Sequence, residues 1–308
     1  MDLSIVITTK DRIEYLRDCV ASILKAKLDH VLWELIVVDD RSTDGTEKLE
    51  ITEWEGVKGK VFHNPEPQMM VKSRNIGARA ASGELIMFID DDNIVAEDMF
   101  AVLLKFVGAN TEYGIIGPSM YYADSGKKYL DFQRINLITG KTTGVIDNGD
   151  GGVCESDGIP NAFLIQRGVF EKCGYFDEAL IQTFTEPDFA FNARNHGYQC
   201  GIVKAAKIFH SVSKDDNYSP RALGGKFSQK AYCLMRNRTV FVSRYGNRTQ
   251  VWAYLLFFSW VWPLIYSVLM LRSLRVDLIK LYWWGWIDGV RYLLTGRLHN
   301  SLPVLLKN

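Results

Sequence analysis

The chain has 308 residues, 47% of them hydrophobic and 23% charged, with 36 Lys and Arg against 36 Asp and Glu. This is an ordinary globular composition with a sizeable core, and a net charge of zero singles out no partner, nucleic acid included. Five scattered Cys with no CxxC pair speak against a zinc site or a disulfide frame and fit a reducing compartment.

Met1-Asp2 runs straight into an apolar, β-branched stretch over 3–8, which reads as a buried parallel strand and leaves no room for a signal peptide. Residues 13–27 carry apolar positions at helical spacing. Residues 35–38 form a second buried strand that stops at Asp39-Asp40, and cap residues there predict a helix near 43–50. Residues 61–63 make a weaker strand, 72–82 a helix, and 85–89 a strand that ends in Asp90-Asp91-Asp92. This alternation predicts an α/β sheet covered on both faces. Farther on, 121–150 reads as loops or hairpins, 158–165 leads into another strand, and 187–197 is a short helix ended by Gly197.

In such sheets ligands bind beyond the carboxyl ends of the strands. Thr8 to Arg12, Asp39-Asp40 and Asp90 to Asp92 all fall there. One Asp after a strand is usually a helix cap. Three polar clusters at three strand ends point instead to one crevice. Three adjacent acids repel one another unless something positive sits among them. Mg²⁺ or Mn²⁺ fits, since such hard cations take one or two carboxylates plus substrate phosphates.

The stretches Ser4–Arg12, Ile36–Thr46, Lys72–Ala78 and Phe88–Asn93 resemble, in order and spacing, the successive motifs of the family 2 glycosyltransferases. The resemblance covers roughly 3–240. It implies a GT-A fold, a Rossmann-like mixed sheet flanked by helices, and an inverting transfer from a nucleotide-diphosphate sugar. It places Thr8, Lys10 and Arg12 in the nucleotide pocket and has Asp39 accept a hydrogen bond from the base. Lys72, Arg74 and Asn75 would face the nucleotide or its phosphates. Asp90 would sit near the ribose, Asp92 would ligate the metal, and Asp91, between them on the nucleotide-sugar side, receives no role of its own. His210 would complete the metal site, and Pro160 and Asn161 would lie on the acceptor side. The general base falls on Glu186, where the family usually has Asp, with Asp188 the alternative. Two acids that merely favour a helix N-terminus would look the same. The donor would carry UDP, with GDP or dTDP as alternatives.

The end of the chain differs in character. From Arg236 onward ten basic residues face only Asp277 and Asp288, a net of +8. Residues 251–271 hold no formal charge, and as a helix would reach about 31 Å. Trp252, Trp260, Trp262, Trp283, Trp284 and Trp286 cluster here, and Trp belongs at a membrane–water boundary. The expectation is interfacial helices, peripheral or monotopic on the cytoplasmic face of the cell membrane, with Arg side chains pairing anionic lipid. A true span and a soluble core remain alternatives.

The domain expectation is therefore a GT-A catalytic domain over 1–235, with a nucleotide-binding half 1–110 and an acceptor-binding half 111–235, followed by a helical membrane-association segment over 236–308. The acceptor would be a glycan or lipid-linked glycan presented at the membrane surface, or alternatively the phosphate of a polyprenyl lipid. A nucleotidyltransferase would want a Gly-rich loop after the first strand, and Thr8–Arg12 has no Gly. A non-catalytic nucleotide-sugar-binding scaffold is the third reading.

Overall fold

Apolar β-branched runs alternating with amphipathic helices build one large mixed sheet, and Phe132–Asn136 pairs with Lys141–Val145 in a separate two-stranded one. The computed structural model of the chain describes residues 2–28, 30–149, 151–211, 228–272 and 274–302. In chain order the elements are β1 (Leu3–Thr9), α1 (Ile13–Lys25), β2 (Trp33–Asp39), β3 (Gly59–His63), α2 (Met69–Ala80), β4 (Leu85–Asp90), β5 (Asn93–Val95), α3 (Met99–Ala109), β6 (Tyr113–Tyr122), β7 (Lys128–Leu130), β8 (Phe132–Asn136), β9 (Lys141–Val145), β10 (Val153–Glu155), β11 (Ala162–Gln166), α4 (Arg167–Cys173), α5 (Thr185–Asn195), β12 (Gln199–His210), α6 (Ser228–Tyr245), α7 (Arg248–Ala253), α8 (Val261–Arg272) and α9 (Val276–Thr295). The helix expected near 43–50 is instead a pair of short 3-10 turns, Thr46–Lys48 and Ile51–Glu53. The cap residues are present, but the run after them has no apolar face long enough to sustain an α-helix. Residues 212–227 of the expected acceptor half lie outside the described residues.

The described residues fall into two compact units. The first takes its described residues from Met1–Arg134, Gly144–Asp177 and Phe189–Val212, and the second from Ile135–Thr143, Glu178–Asp188 and Ser213–Asn308. The second unit thus joins two earlier segments to the carboxyl-terminal helices.

The first unit holds the large sheet, ordered β10-β12-β6-β11-β4-β1-β2-β3, with β5 on β12 and β7 on β6. β1 pairs in parallel with β2 on one side and β4 on the other, and β2 pairs in parallel with β3. The chain therefore reverses direction across the sheet between β1 and β4, and such a switch point opens a crevice beyond the carboxyl ends of the strands. β11 then runs antiparallel to β4. β1 and β4 are buried almost throughout, which is why their sequences read as unbroken apolar runs. The register sets Thr8 beside Asp90 and Thr9 beside Asp39, so the polar strand ends fall level with one another.

The second unit centres on α6, α8 and α9, with Tyr232, Met235, Met270, Leu281 and Tyr282 in its core. α9 meets α6 through Gly285 and Gly289, where an added Cβ would lie 2.2 Å from Tyr232 O and 2.8 Å from Thr239 Cβ. Small residues four apart let two helices approach closely. Asp288, between them, is fully buried and accepts from Tyr232 Oη at 2.5 Å and from Ser301 N at 3.0 Å. The most apolar 18-residue window within 248–272 has a mean hydropathy of 1.8, and among the described residues one helix here is long and apolar enough to cross a membrane. A π-turn at Tyr254–Phe258 separates α7 from α8. Pro263 sits in the first turn of α8, where its missing N–H costs nothing.

α2 covers β1 at Gly77, where an added Cβ would stand 2.3 Å from buried Val6 Cγ1. Gly77→Ala forces that contact apart, and it is expected to destabilise the protein by about 1–3 kcal/mol despite the better helix propensity of Ala. Urea titration checks this, and an unchanged or raised midpoint would show that α2 and β1 are not so tightly packed.

Candidate active site

The loops that leave β1 and β2 hold each other. Asp11 N donates to Ser42 Oγ at 2.7 Å, Thr43 N donates to Asp11 Oδ1 at 2.7 Å, and Ile13 N donates to Asp44 Oδ2 at 2.9 Å. Asp44 thereby caps the start of α1, the place where orphan N–H groups need an acceptor. Asp11 and Arg41 both sit in the left-handed region, φ 51° and 60°, the kind of backbone strain that collects at functional sites.

Two arginines serve the three acids at the end of β4. Arg12 Nη1 reaches Asp91 Oδ1 at 2.9 Å and Asp92 Oδ2 at 2.8 Å. Arg74 Nη2 reaches Asp90 Oδ1 at 2.7 Å. Thr9 Oγ1 adds a bond to Asp91 Oδ2 at 2.7 Å. Asp91 is buried, and burial pushes its carboxyl up to about 6 against the pull of Arg12. Asp92 goes the other way. Burial favours its neutral form, but hydrogen bonding and charge from His210, with Arg12 behind them, hold it below the ordinary carboxylate range. Asp91, which had no assigned role, is thus the acid around which Thr9 and Arg12 gather. Arg12, expected to line the nucleotide pocket, is engaged with two of the acids.

His210 Nε2 lies 3.4 Å from Asp92 Oδ1. Its ring tilts against Tyr129 with centroids 6.3 Å apart. Asn161 donates to Tyr129 Oη at 2.9 Å, and its own carbonyl accepts from Asp90 N at 2.8 Å. Asn161 has φ 67°, so the Pro160-Asn161 turn is a bent link that braces the start of the acid triplet. Among the described residues no group of three or more His, Cys, Asp and Glu gathers as a metal cluster. The donor set nevertheless fits a divalent cation held by two protein ligands. Asp92 and His210 face each other, and Asn93 Oδ1, buried beside them, has no hydrogen-bond partner among the described residues. Phosphate oxygens would supply the remaining positions, the usual arrangement for Mg²⁺.

At the end of β2, fully buried Asp39 accepts from Ser42 N at 3.0 Å and lies 3.0 Å from His63 Nδ1. Asp40 caps α2, accepting from Gln68 N at 2.6 Å, Met69 N at 3.0 Å and Asn64 Nδ2 at 3.0 Å. Sequence reasoning put Asp40 at the crevice without a role of its own and gave His63 no place in the site. The parallel register that sets Asp39 beside His63 carried the signal for the latter. Thr8 and Lys10 are half-buried at the strand end. The three α2 residues part company. Arg74 points at Asp90, Lys72 is exposed, and Asn75 is turned inward, exchanging both amide bonds with the backbone of Phe176 at 2.9 and 3.1 Å.

The two candidate bases lie in the second unit, in the first turn of α5. Asp188 is buried, and its Oδ1 accepts from Arg244 Nη1 at 2.9 Å and Tyr245 Oη at 3.1 Å. That carboxylate is a brace. Glu186 is half-buried and accepts from Thr185 Oγ1 at 2.8 Å. The six Trp of the tail also divide. Trp252 and Trp260 are exposed, at 58% and 44%. Trp262 donates to Thr139 O and stacks on Arg238, Trp283 donates to Ser267 Oγ and Trp286 to Ser259 Oγ, and Trp284 packs on the helical core. Of the basic flank, Arg244 and Arg275 pair with Asp188 and Asp277. Arg244 thus answers a buried acid and Arg275 an exposed neighbour, whereas Arg248 and Arg272 are exposed.

Comparison with known proteins follows the same lines. The family model described as Glycosyl transferase family 2 matches residues 4–174. Glycosyltransferase GlyG of Streptococcus pneumoniae is 30% identical over 124 residues, 40% of this chain. The match takes in only 40% of that relative's own length. Among solved structures, TarS of S. aureus in complex with UDP-GlcNAc superposes with a TM-score of 0.58 at 16% identity, over 83% of this chain and 72% of that one. Mannosyltransferase PcManGT of Pyrobaculum calidifontis, in complex with GDP-Man and Mn²⁺, superposes with a TM-score of 0.57 at 15% identity, over 96% of this chain and 87% of that one. These structural likenesses are of fold, and the fold is GT-A.

Arg12 is the group that makes two buried acids tolerable, and removing it from a largely buried pair is expected to cost about 3 kcal/mol. An acid whose folded value is raised gives stability at low pH that is lost as pH climbs, here between about 4 and about 6 for Asp91. Arg12→Ala pushes that value higher still. Without added divalent cation, the variant's melting point should therefore fall further below wild type at pH 8 than at pH 5. A deficit that is equal at both pH values would contradict the pairing.

Proposed function

The chain belongs to glycosyl transferase family 2, and from that membership we propose that it transfers a sugar, with inversion, from a nucleoside-diphosphate sugar to an acceptor hydroxyl. The observation that carries this reading is the acid triplet of β4, braced by Arg12 and Arg74 at the switch point of a GT-A sheet. The donor sits at the carboxyl ends of β1, β2 and β4. Asp39 receives the base edge, and Asp90, beside Thr8, receives the ribose. UDP is the preferred nucleotide, supported by the UDP-GlcNAc bound in TarS. GDP is the alternative, supported by the GDP-Man bound in PcManGT.

Asp92 and His210 would hold Mg²⁺ or Mn²⁺, which supplies charge stabilisation for the diphosphate leaving group. The rest falls to side chains. Arg12 and Thr9 hold Asp91 and keep the triplet from splaying. Glu186 takes the acceptor hydroxyl's proton as that oxygen attacks the anomeric carbon. Asp188, spent on Arg244 and Tyr245, keeps the helix start in place. The acceptor is a glycan or lipid-linked glycan presented at a membrane. Support for that comes from one apolar, exposed helical face, with Trp252, Leu256, Phe257, Trp260, Leu264 and Ile265 all more than a third exposed. A patch of this kind marks an interaction surface. The protein docks with it as a peripheral or monotopic protein on the cytoplasmic leaflet.

Release of nucleoside diphosphate in the presence of donor and acceptor tests the activity. Asp92→Ala is expected to lower that rate by about 10²–10³-fold with the melting point unchanged. Glu186→Gln is expected to keep donor affinity and lose about 10²–10⁴-fold in kcat. A folded, active Asp92→Ala enzyme contradicts the metal assignment, and loss of turnover in Asp188→Asn with Glu186→Gln active moves the base. Flotation with anionic vesicles reads the tail. Replacing Trp252, Phe257 and Trp260 by Ser should release the protein, and undiminished flotation would refute the docking face.

A further inference from the structure

Segment 178–188 carries the proposed base and is built unusually. Ile181, Thr183 and Phe184 have φ of 66°, 64° and 58°. Two of these are β-branched, and side chains of that kind resist the left-handed region. Such a conformation persists only where surrounding groups over-determine it. Among the described residues no sheet ladder runs along 178–184, where a 3-10 turn at Glu178–Leu180 is followed by the short bonds Ile181 N to Glu178 O and Gln182 N to Leu180 O.

Side chains of α6 hold the segment instead. Asn237 Nδ2 shares its two protons among three carbonyls, Leu180 O at 2.8 Å, Gln182 O at 2.6 Å and Thr183 O at 3.0 Å. Arg236 Nη2 reaches Ala179 O at 2.6 Å and Leu180 O at 3.2 Å, while its Nε donates to Asn237 Oδ1 at 2.9 Å and orients that amide. Both side chains are fully buried. One turn on, Phe241 packs on Phe184 with ring centroids 5.5 Å apart. A further turn on, Tyr245 Oη donates to Asp188 O at 2.9 Å. Positions 237, 241 and 245 are four apart and share one helix face. Read in the same order, they meet 180–183, 184 and 188. Glu186 lies between the last two of those points.

We propose that this face of α6 is the template that sets the position of the Glu186 carboxylate, with Arg236 and Asn237 as its positioning residues. The proposal rests on Glu186 being the base. The strain at 181–184 is what makes the template necessary, because that backbone has no conformational preference of its own for the shape it adopts. The fully used Nδ2 donors of Asn237 make it the most sensitive member. Asp at that position has nearly the same shape and presents oxygens to three carbonyls, so the segment is pushed away rather than held. A misplacement of about 1 Å in such a constellation costs about 10²-fold in rate.

The test is a double-mutant cycle on the full chain, with nucleoside diphosphate release as the rate and donor titration and melting as controls. Asn237→Asp should lower kcat by about 10²-fold while KM for the donor stays within about twofold. In the Glu186→Gln background, where there is no base left to misplace, the same change should alter the residual rate by less than about threefold. An equal loss in both backgrounds, or a rise in KM with kcat unchanged, overturns the positioning role. Wild-type turnover by Glu186→Gln alone overturns the base assignment on which it rests, and that failure is read before Asn237 is touched. Should Asn237→Asp not melt cooperatively, Arg236→Lys, which keeps the charge but cannot span Ala179 O and Asn237 Oδ1 together, is held to the same pattern.

Discussion

Three consecutive carboxylates at the mostly buried end of one strand are the constraint that the first unit answers. Two like charges about 4 Å apart repel by about 4 kcal/mol at an effective dielectric near 20, and the triplet multiplies that cost. The sheet meets it with one guanidinium from each side. Arg12, at the start of α1, spans Asp91 and Asp92, and Arg74, inside α2, reaches Asp90. Both arginines are placed by the parallel strands that precede their helices, so the order β3-β2-β1-β4 and the charge pattern are one requirement. A structure that concentrates negative charge where a diphosphate would bind has every reason to include a cation there as well. Asp92, held below the ordinary carboxylate range beside His210, is the acid to which the proposed cation is assigned.

The second unit answers a different problem, that of holding a backbone in a shape it would not choose. Its helices α6 and α9 close on glycines, bury Asp288 against Tyr232, and turn Arg236 and Asn237 toward the carbonyls of 179–183. Polar groups of this kind are costly to bury unless each finds a partner, and here the partners are main-chain oxygens. Along 252–276 the unit leaves Trp252, Leu256, Phe257, Trp260, Leu271 and Val276 exposed.

Much of the first unit was legible in the sequence, because its signals are local. Apolar runs at 3–8, 35–38 and 85–89 fix strands, and the polar residues that follow each run mark the strand ends. Register then brings Thr8, Asp39 and Asp90 level without further information. What could not be read was which polar residue each one meets. Asn75 looks like a ligand contact in a polar helix, yet its amide is used up on Phe176, 101 residues later. Asp188 and Glu186 are equivalent acids in a helix start until Arg244 and Tyr245 claim one of them from 56 and 57 positions away. The Trp cluster suggested one membrane belt, but four of the six are tied within the helical unit, a distinction of exposure that composition does not carry. Gly285 and Gly289 stood in the sequence as a close-packing signal and were not used, since the spacing takes its meaning only from the helix it faces.

The claim on which everything else depends is that the charge at the end of β4 is arranged for a cation and a nucleoside diphosphate. Crystals grown with Mn²⁺ and UDP, measured at the manganese absorption edge, test it directly. The arrangement predicts one anomalous peak bounded by the Asp92 carboxylate and the His210 imidazole, with the nucleotide beyond the ends of β1 and β2. Bound UDP with no peak at those two residues, or a peak elsewhere in the chain, would contradict it.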